Sequence, residues 1–193
     1  MNGGGPARSR PAVFLDRDGT LNREVNYLSD PAEFAWLPGS RRAIARLNQA
    51  GLAAVVITNQ SGIARGLFDE RTLESIHARM HATLADAGAR LDGVYFCPHH
   101  PDFGSPPYRA HCGCRKPLPG LLERAARELQ LDLTRSWVVG DSGRDLAAGA
   151  ALNLPGLLVE TGQGRAQASQ LSAAGEVFEA VPDLAAAVDR ILG

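Results

Sequence analysis

Asp16 and Asp18 stand two residues apart in Asp16-Arg17-Asp18-Gly19-Thr20, immediately after the apolar run AVFL. Residues spaced by two at the end of a strand can point to one side, so this run aims two carboxylates into one crevice. Asp141, in Gly140-Asp141-Ser142-Gly143-Arg144-Asp145, follows the apolar WVV in the same manner. A third carboxylate makes a hard-oxygen site suited to Mg²⁺. Asp145, one helical turn further on, is either a support for that site or a charge at a helix N-terminus. Thr58-Asn59-Gln60-Ser61-Gly62 follows LAAVVI and offers hydroxyl, amide and backbone N–H groups for phosphate oxygens. Arg115-Lys116-Pro117 adds a lysine, a point charge for the same purpose. Taken singly, these runs are an acidic turn, an ordinary loop and a solvated lysine. Together, with three of them directly after apolar segments, they read as one site.

A second cluster has different chemistry. All three cysteines, Cys97, Cys112 and Cys114, lie within CPHHPDFGSPPYRAHCGCRKP. An odd count confined to one stretch argues against a disulfide framework. Two thiolate-rich pairs across a loop suit a tetrahedral structural zinc, with His99, His100 and His111 as nitrogen donors. The alternative is three buried free thiols beside a chance histidine. Four protein ligands would close the site, so the zinc would be structural and would stiffen a long loop that ends directly in Arg115 and Lys116.

The elements that must position these groups are legible as alternating strands and helices. Strands are expected at Ala12–Leu15, Leu52–Thr58, Val94–Phe96, Trp137–Gly140 and Gly156–Val159, with a small edge strand at Val177–Phe178. Helices are expected from Pro38 to Ala50, from the N-cap Asp69 to about Gly88, from Leu121 to Leu129, over Asp145–Ala151, and from Pro182 to Ile191. Leu73, Ile76, Met80 and Leu84 recur at helical spacing and form a core stripe. Residues 97–119, rich in Pro, Gly, His and Cys, are expected to be loop. This is the pattern of an α/β fold: a single Rossmann-like domain over 11–193, with a parallel sheet, helices on both faces and ligands beyond the carboxyl ends of the strands. With 193 residues, 45% apolar composition and a net charge of −1, the chain can build one sizeable core and presents no basic field for nucleic acid. No apolar run spans a bilayer. The start, MNGGGPARSRP, lacks a signal-like apolar stretch, so residues 1–10 are read as a flexible tail and a cytoplasmic monomer as the default.

DxDGT, a strand ending in TN, then KP, then GDxxxD, in that order, resembles the haloacid dehalogenase superfamily of phosphatases over residues 12 to about 160. The resemblance implies an aspartyl-phosphate mechanism. Asp16 is the expected nucleophile, and Asp18 is the expected acid and then base. Lys116 and Thr58 would stabilise charge on the transferring group. Mg²⁺ would be held by Asp16, the Asp18 backbone carbonyl and Asp141. An Asp two residues after the nucleophile marks phosphatases and phosphotransferases in that superfamily rather than dehalogenases.

CxH followed by CxC before RKP resembles two groups within it, the D-glycero-D-manno-heptose 1,7-bisphosphate phosphatases and the histidinol-phosphate phosphatases. FLDRDGTLN, TNQSGIARG and CPHHP favour the first. By this resemblance His99 is the nitrogen ligand beside Cys97, Cys112 and Cys114. Glu24, Val25, Asn26 and Tyr27, with Asn59, Gln60 and Ser61, would contact the sugar, and Arg115 would bind the remaining phosphate at C1. A sugar bisphosphate would lose its C7 phosphate in an open site with no large cap domain. Histidinol phosphate or a range of small sugar phosphates are the competing substrates, and a non-catalytic zinc-stabilised binding module is a more distant alternative. The chain departs from some heptose phosphatases at Ser142, where they carry lysine; Arg144 is the nearby cation that could replace it. His77 and His81, four apart on a helix, are read as exposed surface in preference to a metal pair, Trp36 and Trp137 as core, and Gly162-Gln163-Gly164 as a turn in preference to a border of the site.

Overall fold

Six strands pair in parallel in the order β3-β2-β1-β4-β5-β6. They are β1 (Ala12–Leu15), β2 (Ala53–Asn59), β3 (Gly93–Cys97), β4 (Trp137–Gly140), β5 (Gly156–Val159) and β6 (Glu179–Val181). The structure is a computed structural model and describes residues 9–193. The expected tail lies largely outside the described residues. Arg10 within it is anchored, its Nη2 2.6 Å from Asp92 Oδ1 and its carbonyl accepting from the Asp132 N–H at 2.9 Å.

The helices are α1 (Ser40–Gln49), α2 (Glu70–Ala85), α3 (Gly120–Leu129), α4 (Gly143–Ala150), α5 (Gly164–Ala173) and α6 (Leu184–Leu192). Strand alternation sends successive residues to opposite faces. Val13, Leu15, Val56 and Val139 meet Ile44 and Leu47 of α1, Ile76 and Met80 of α2, and Val188 of α6. Ala12, Phe14, Val55 and Val138 meet Leu121 and Leu122 of α3 and Ala148 of α4. All four residues of β1 are fully buried. Burying a side chain such as Phe14 contributes roughly 1.5–3 kcal/mol, so packing from both faces, more than ladder hydrogen bonds, holds this short central strand.

The chain steps outward from β1 to β2 and β3 on one side and through β4, β5 and β6 on the other. The order therefore reverses between β1 and β4, where an open parallel sheet presents its binding crevice. The Asp16 N–H donates to the Val139 carbonyl at 2.9 Å, tying the tips of the two strands together at this point.

Several sequence expectations need correction. Helix α5 was absent from the expected elements: its segment GRAQASQLSA buries only Gly164 and so carries no apolar stripe to read. The edge strand is β6, Glu179–Val181, not Val177–Phe178; Val177 is fully exposed. α1 begins at Ser40, because Gly39 before it takes a left-handed φ of 81°. As expected, no helix or named strand interrupts the segment between β3 and α3. Trp36 and Trp137 are partly buried against the core. Among the described residues no helix is long and apolar enough to cross a membrane.

Candidate active site and metal centres

The residues after β1, β2 and β4 and the segment before α3 converge on one cavity of roughly 340 Å³ at the switch point. Asp16, Asp18, Thr58, Lys116, Asp141 and Asp145 lie at its floor. Lys116 is the hub. Its Nζ donates to Asp16 Oδ1 at 2.8 Å and to the Ile57 carbonyl at 2.8 Å, and lies 2.6 Å from Asp145 Oδ1. Burial alone would lower the Lys116 pKa, but the carboxylates of Asp145 and Asp16 outweigh it and hold the pKa above its usual value. Asn59 fixes the backbone of this lysine from both sides: its Oδ1 accepts from the Lys116 N–H and its Nδ2 donates to the Lys116 carbonyl, each at 3.0 Å.

The carboxylates carry more negative charge than one lysine offsets. Burial pushes Asp16 up to about 6, with Lys116 opposing and Asp145 and Asp18 adding to the rise. Burial also raises Asp141 to about 7, with a further push from Asp16. The Gln163 N–H partly opposes this, donating to Asp141 Oδ2 at 2.8 Å. Carboxyl oxygens of Asp16, Asp141 and Asp145 all lie within 4.8 Å of one another. A buried all-oxygen set fits a hard divalent cation, which would replace the protons that Asp16 and Asp141 favour. Asp145 has other commitments as well. Its Oδ2 accepts from the Ser142 N–H at 3.1 Å, closing the capping box of α4 at the helix N-terminus.

Asp18 has the opposite environment. Burial would raise its pKa, but the Arg17 guanidinium and hydrogen bonds from Arg17, Asn22 and Gln60 hold it below the usual carboxylate value. Gln60 Nε2 also donates to Thr58 Oγ1 at 2.8 Å, linking the β1 and β2 tips.

The cavity rim gathers most of the expected contact residues. Glu24, Asn26, Tyr27, Asn59, Gln60, Ser61 and Arg115 line it; Val25 does not, and Leu28 does. Three further basic side chains border it, Arg65, Arg144 and His100, of which the sequence pointed only to Arg144 as a substrate-facing charge. The Arg65 guanidinium stacks 3.6 Å from the Phe103 ring centroid and 5.6 Å from that of Tyr27, bridging two loops. Arg144 Nε lies 3.2 Å from Ser142 Oγ. Gln163 borders the cavity, the less favoured of the two readings of its turn. There Gly19 (φ 80°) and Gly162 (φ 56°) approach so closely that a Cβ on either would meet Asp141 Oδ2 within 2.2 Å. His77 is likewise not a free surface group: its ring faces Phe96, and its Nε2 lies 3.3 Å from Arg17 Nη1.

The thiol cluster assembles at the base of the loop after β3. Cys97 Sγ lies 3.6 Å from Cys112 Sγ and 3.2 Å from Cys114 Sγ, and His99 Nδ1 lies 3.4 Å from Cys114 Sγ. These separations exceed the S–S bond of about 2.05 Å and approach the edges of about 3.6–3.8 Å of a tetrahedron around a soft metal ion. His99 is the histidine in the cluster; His100 turns to Phe103. The hydrogen bond between Cys97 and Cys114, with burial, pushes the Cys97 thiol up, and the same hydrogen bond brings Cys114 down to about 5. Three thiols in contact share protons in this way until a cation replaces them. Arg115, adjacent in sequence, donates from Nη1 to the His99 carbonyl at 3.2 Å, so the cluster and the cavity rim share one loop.

Residues 113–187 match a family model described as HAD-hydrolase-like. A relative from Bordetella bronchiseptica, named D-glycero-beta-D-manno-heptose-1,7-bisphosphate 7-phosphatase, is 45% identical over 93% of this chain and 97% of its own. One of the same name from Photorhabdus laumondii is 43% identical over 94% and 96%. The crystal structure of D,D-heptose 1,7-bisphosphate phosphatase from B. bronchiseptica, complexed with magnesium and phosphate, superposes with a TM-score of 0.84 at 43% identity. That match covers 94% of this chain and 98% of that one.

Proposed function

Because the chain belongs to the D-glycero-beta-D-manno-heptose-1,7-bisphosphate 7-phosphatase family, we propose that it hydrolyses the C7 phosphate of that β-configured bisphosphate. The product, heptose 1-phosphate, would serve the nucleotide-activated heptose of lipopolysaccharide or surface glycans. The observation that carries the reading is Lys116 set between Asp16 and Asp145, beside Asp141, in a cavity whose rim bears Arg65, Arg115 and Arg144. One end suits a reacting phosphate and the other a retained one.

The assignments follow from this arrangement. Mg²⁺ would be held by Asp16, the Asp18 backbone carbonyl and Asp141, and supplies positive charge that offsets the repulsion between an anionic nucleophile and an anionic ester. Asp16 attacks phosphorus as the bond to the C7 oxygen breaks. Asp18 gives its proton to that leaving oxygen. Asp18, ionised beside Arg17, must first take up a proton from solvent, which the arriving phosphate dianion favours by raising its proton affinity. Asp18 then takes a proton from the water that attacks the aspartyl phosphate, releasing inorganic phosphate and restoring Asp16. Lys116 and Thr58 stabilise charge on the transferring group. Asn59 acts chiefly on Lys116, since both ends of its amide are engaged there. Glu24, Asn26, Tyr27, Gln60 and Ser61 border the sugar. Arg115, with Arg144 and Arg65 near it, meets the C1 phosphate through forked hydrogen bonds. Cys97, His99, Cys112 and Cys114 would hold a structural Zn²⁺ that stiffens the loop carrying Arg115 and Lys116.

The test is a phosphate-release panel with Mg²⁺ comparing the two anomers of the heptose bisphosphate with histidinol phosphate. The β anomer should give the highest kcat/KM and stop at one phosphate released per molecule. A higher value on histidinol phosphate would overturn the substrate, and no turnover of any ester would overturn the enzyme.

A further inference from the structure

We propose that His77 is a positioning residue for this reaction, a hydrogen-bond acceptor on α2 that holds the Arg17 guanidinium square against Asp18. The inference rests on the reading of Asp18 as the acid and base. Arg17 is completely buried. Its Nε lies 3.1 Å from both Asp18 oxygens, and its Nη2 lies 2.8 Å from Asp18 Oδ2 and 3.2 Å from Gln60 Oε1. That leaves Nη1, whose partner is His77 Nε2 at 3.3 Å. A buried guanidinium with one end unsatisfied is unfavourable, and the fork can relieve that by rotating away from the carboxylate.

Accepting this bond requires His77 Nε2 to be unprotonated and Nδ1 to carry the ring proton. Burial, then the charge of Arg17, lowers the imidazole pKa to about 3, so the ring remains a neutral acceptor at any working pH. Its edge-on contact with Phe96, centroids 6.1 Å apart, sets the ring orientation from the β3 side. Without His77, Asp18 retains the neutral amides of Asn22 and Gln60, at 3.0 and 2.9 Å, but loses the two-point register imposed by a fixed fork. Proton delivery to the leaving oxygen depends on that register.

Leaving-group dependence separates this role from a merely structural one. An alkoxide needs a proton as it departs; a 4-nitrophenolate does not. His77→Phe keeps a flat ring against Phe96 without the acceptor, His77→Leu repeats the deletion with another shape, and His77→Gln supplies a different acceptor. Because Asp18 also serves the later hydrolysis of the aspartyl phosphate, a step both esters share, the comparison is of kcat/KM, which reports steps only through departure of the leaving group. For the two deletions kcat/KM should fall about tenfold on the heptose bisphosphate. On 4-nitrophenyl phosphate the loss should stay within about twofold, and His77→Gln should recover most of the alkyl rate. Equal losses on the two esters, no loss on either, or no recovery by His77→Gln would each overturn the proposal. A wild-type enzyme inactive on the bisphosphate but active on other alkyl phosphates would overturn the substrate reading alone, and the comparison then uses one of those esters.

Discussion

Asp16 and Asp141 carry their negative charge reluctantly, at about 6 and about 7, because the cavity floor is buried and the carboxylates face one another. A cation binds these groups only in ionised form, so protons compete with it increasingly as pH falls through 7 and then 6. The Mg²⁺ concentration giving half-maximal rate should therefore rise at least about tenfold between pH 8 and pH 5.5. A value that stays constant across this range would refute the assignment of these two carboxylates as ligands. The same sign governs stability. Both folded values lie above the unfolded 3.8, so ionising them destabilises the metal-free fold as pH rises, and Mg²⁺ should raise Tm more at pH 8 than at pH 5.5. Asp16→Asn should lower kcat by at least about a thousandfold while circular dichroism is unchanged; retained turnover would remove Asp16 from the nucleophile's role. The acids, the lysine and the thiols were all legible as residue types in sequence. His77 was not, because its partner Arg17 arrives from another strand end, and a histidine on an amphipathic helix carries no mark of such a distant neighbour.

At the scale of elements, the long segment between β3 and α3 is the unusual part. It has no regular structure to order it, yet it carries Arg115 and Lys116 and packs Cys112 and Cys114 against the core. Cys112→Ser should abolish bound zinc by elemental analysis and lower Tm by about 5–10 °C. Full zinc content in the variant would sink the proposed ligand set. Strands β1, β4 and β5 coincide with their sequence-based expectations because each is apolar throughout and stops at an acidic residue, Asp16, Asp141 or Glu160. α5 escaped notice because small and polar residues fill it: it lies on the sheet's flank with one buried glycine, and tertiary placement, not periodicity, makes it a helix. The turn leading into it nonetheless reaches Asp141 through the Gln163 N–H, which places Gln163 at the border of the cavity.

Over the whole molecule the charge nearly cancels, at −1, but its distribution does not. Asp16, Asp18, Asp141 and Asp145 gather at the cavity floor, where a cation would offset them, whereas Arg65, Arg115 and Arg144 stand at its rim and attract an entering anion. A bisphosphate feels both ends of that cavity and a monophosphate only one. Raising salt from about 0.05 to about 0.5 M, which shortens the screening length from about 14 to about 4 Å, should increase KM several-fold more for the bisphosphate than for a simple alkyl phosphate. Parallel increases would show that the rim arginines do not read the second phosphate.

The doubly hydrogen-bonded Asn59 makes the sulfur cluster and the hydrolytic centre parts of one mechanical unit, since the lysine it grips lies two residues beyond Cys114. Peroxide, mercurials or copper would thereby poison a reaction that uses no sulfur, by loosening the loop under the ammonium group. Thiol-directed reagents are therefore expected to slow turnover while acting at a distance from any bond that breaks, and an unchanged rate after complete thiol modification would refute the coupling.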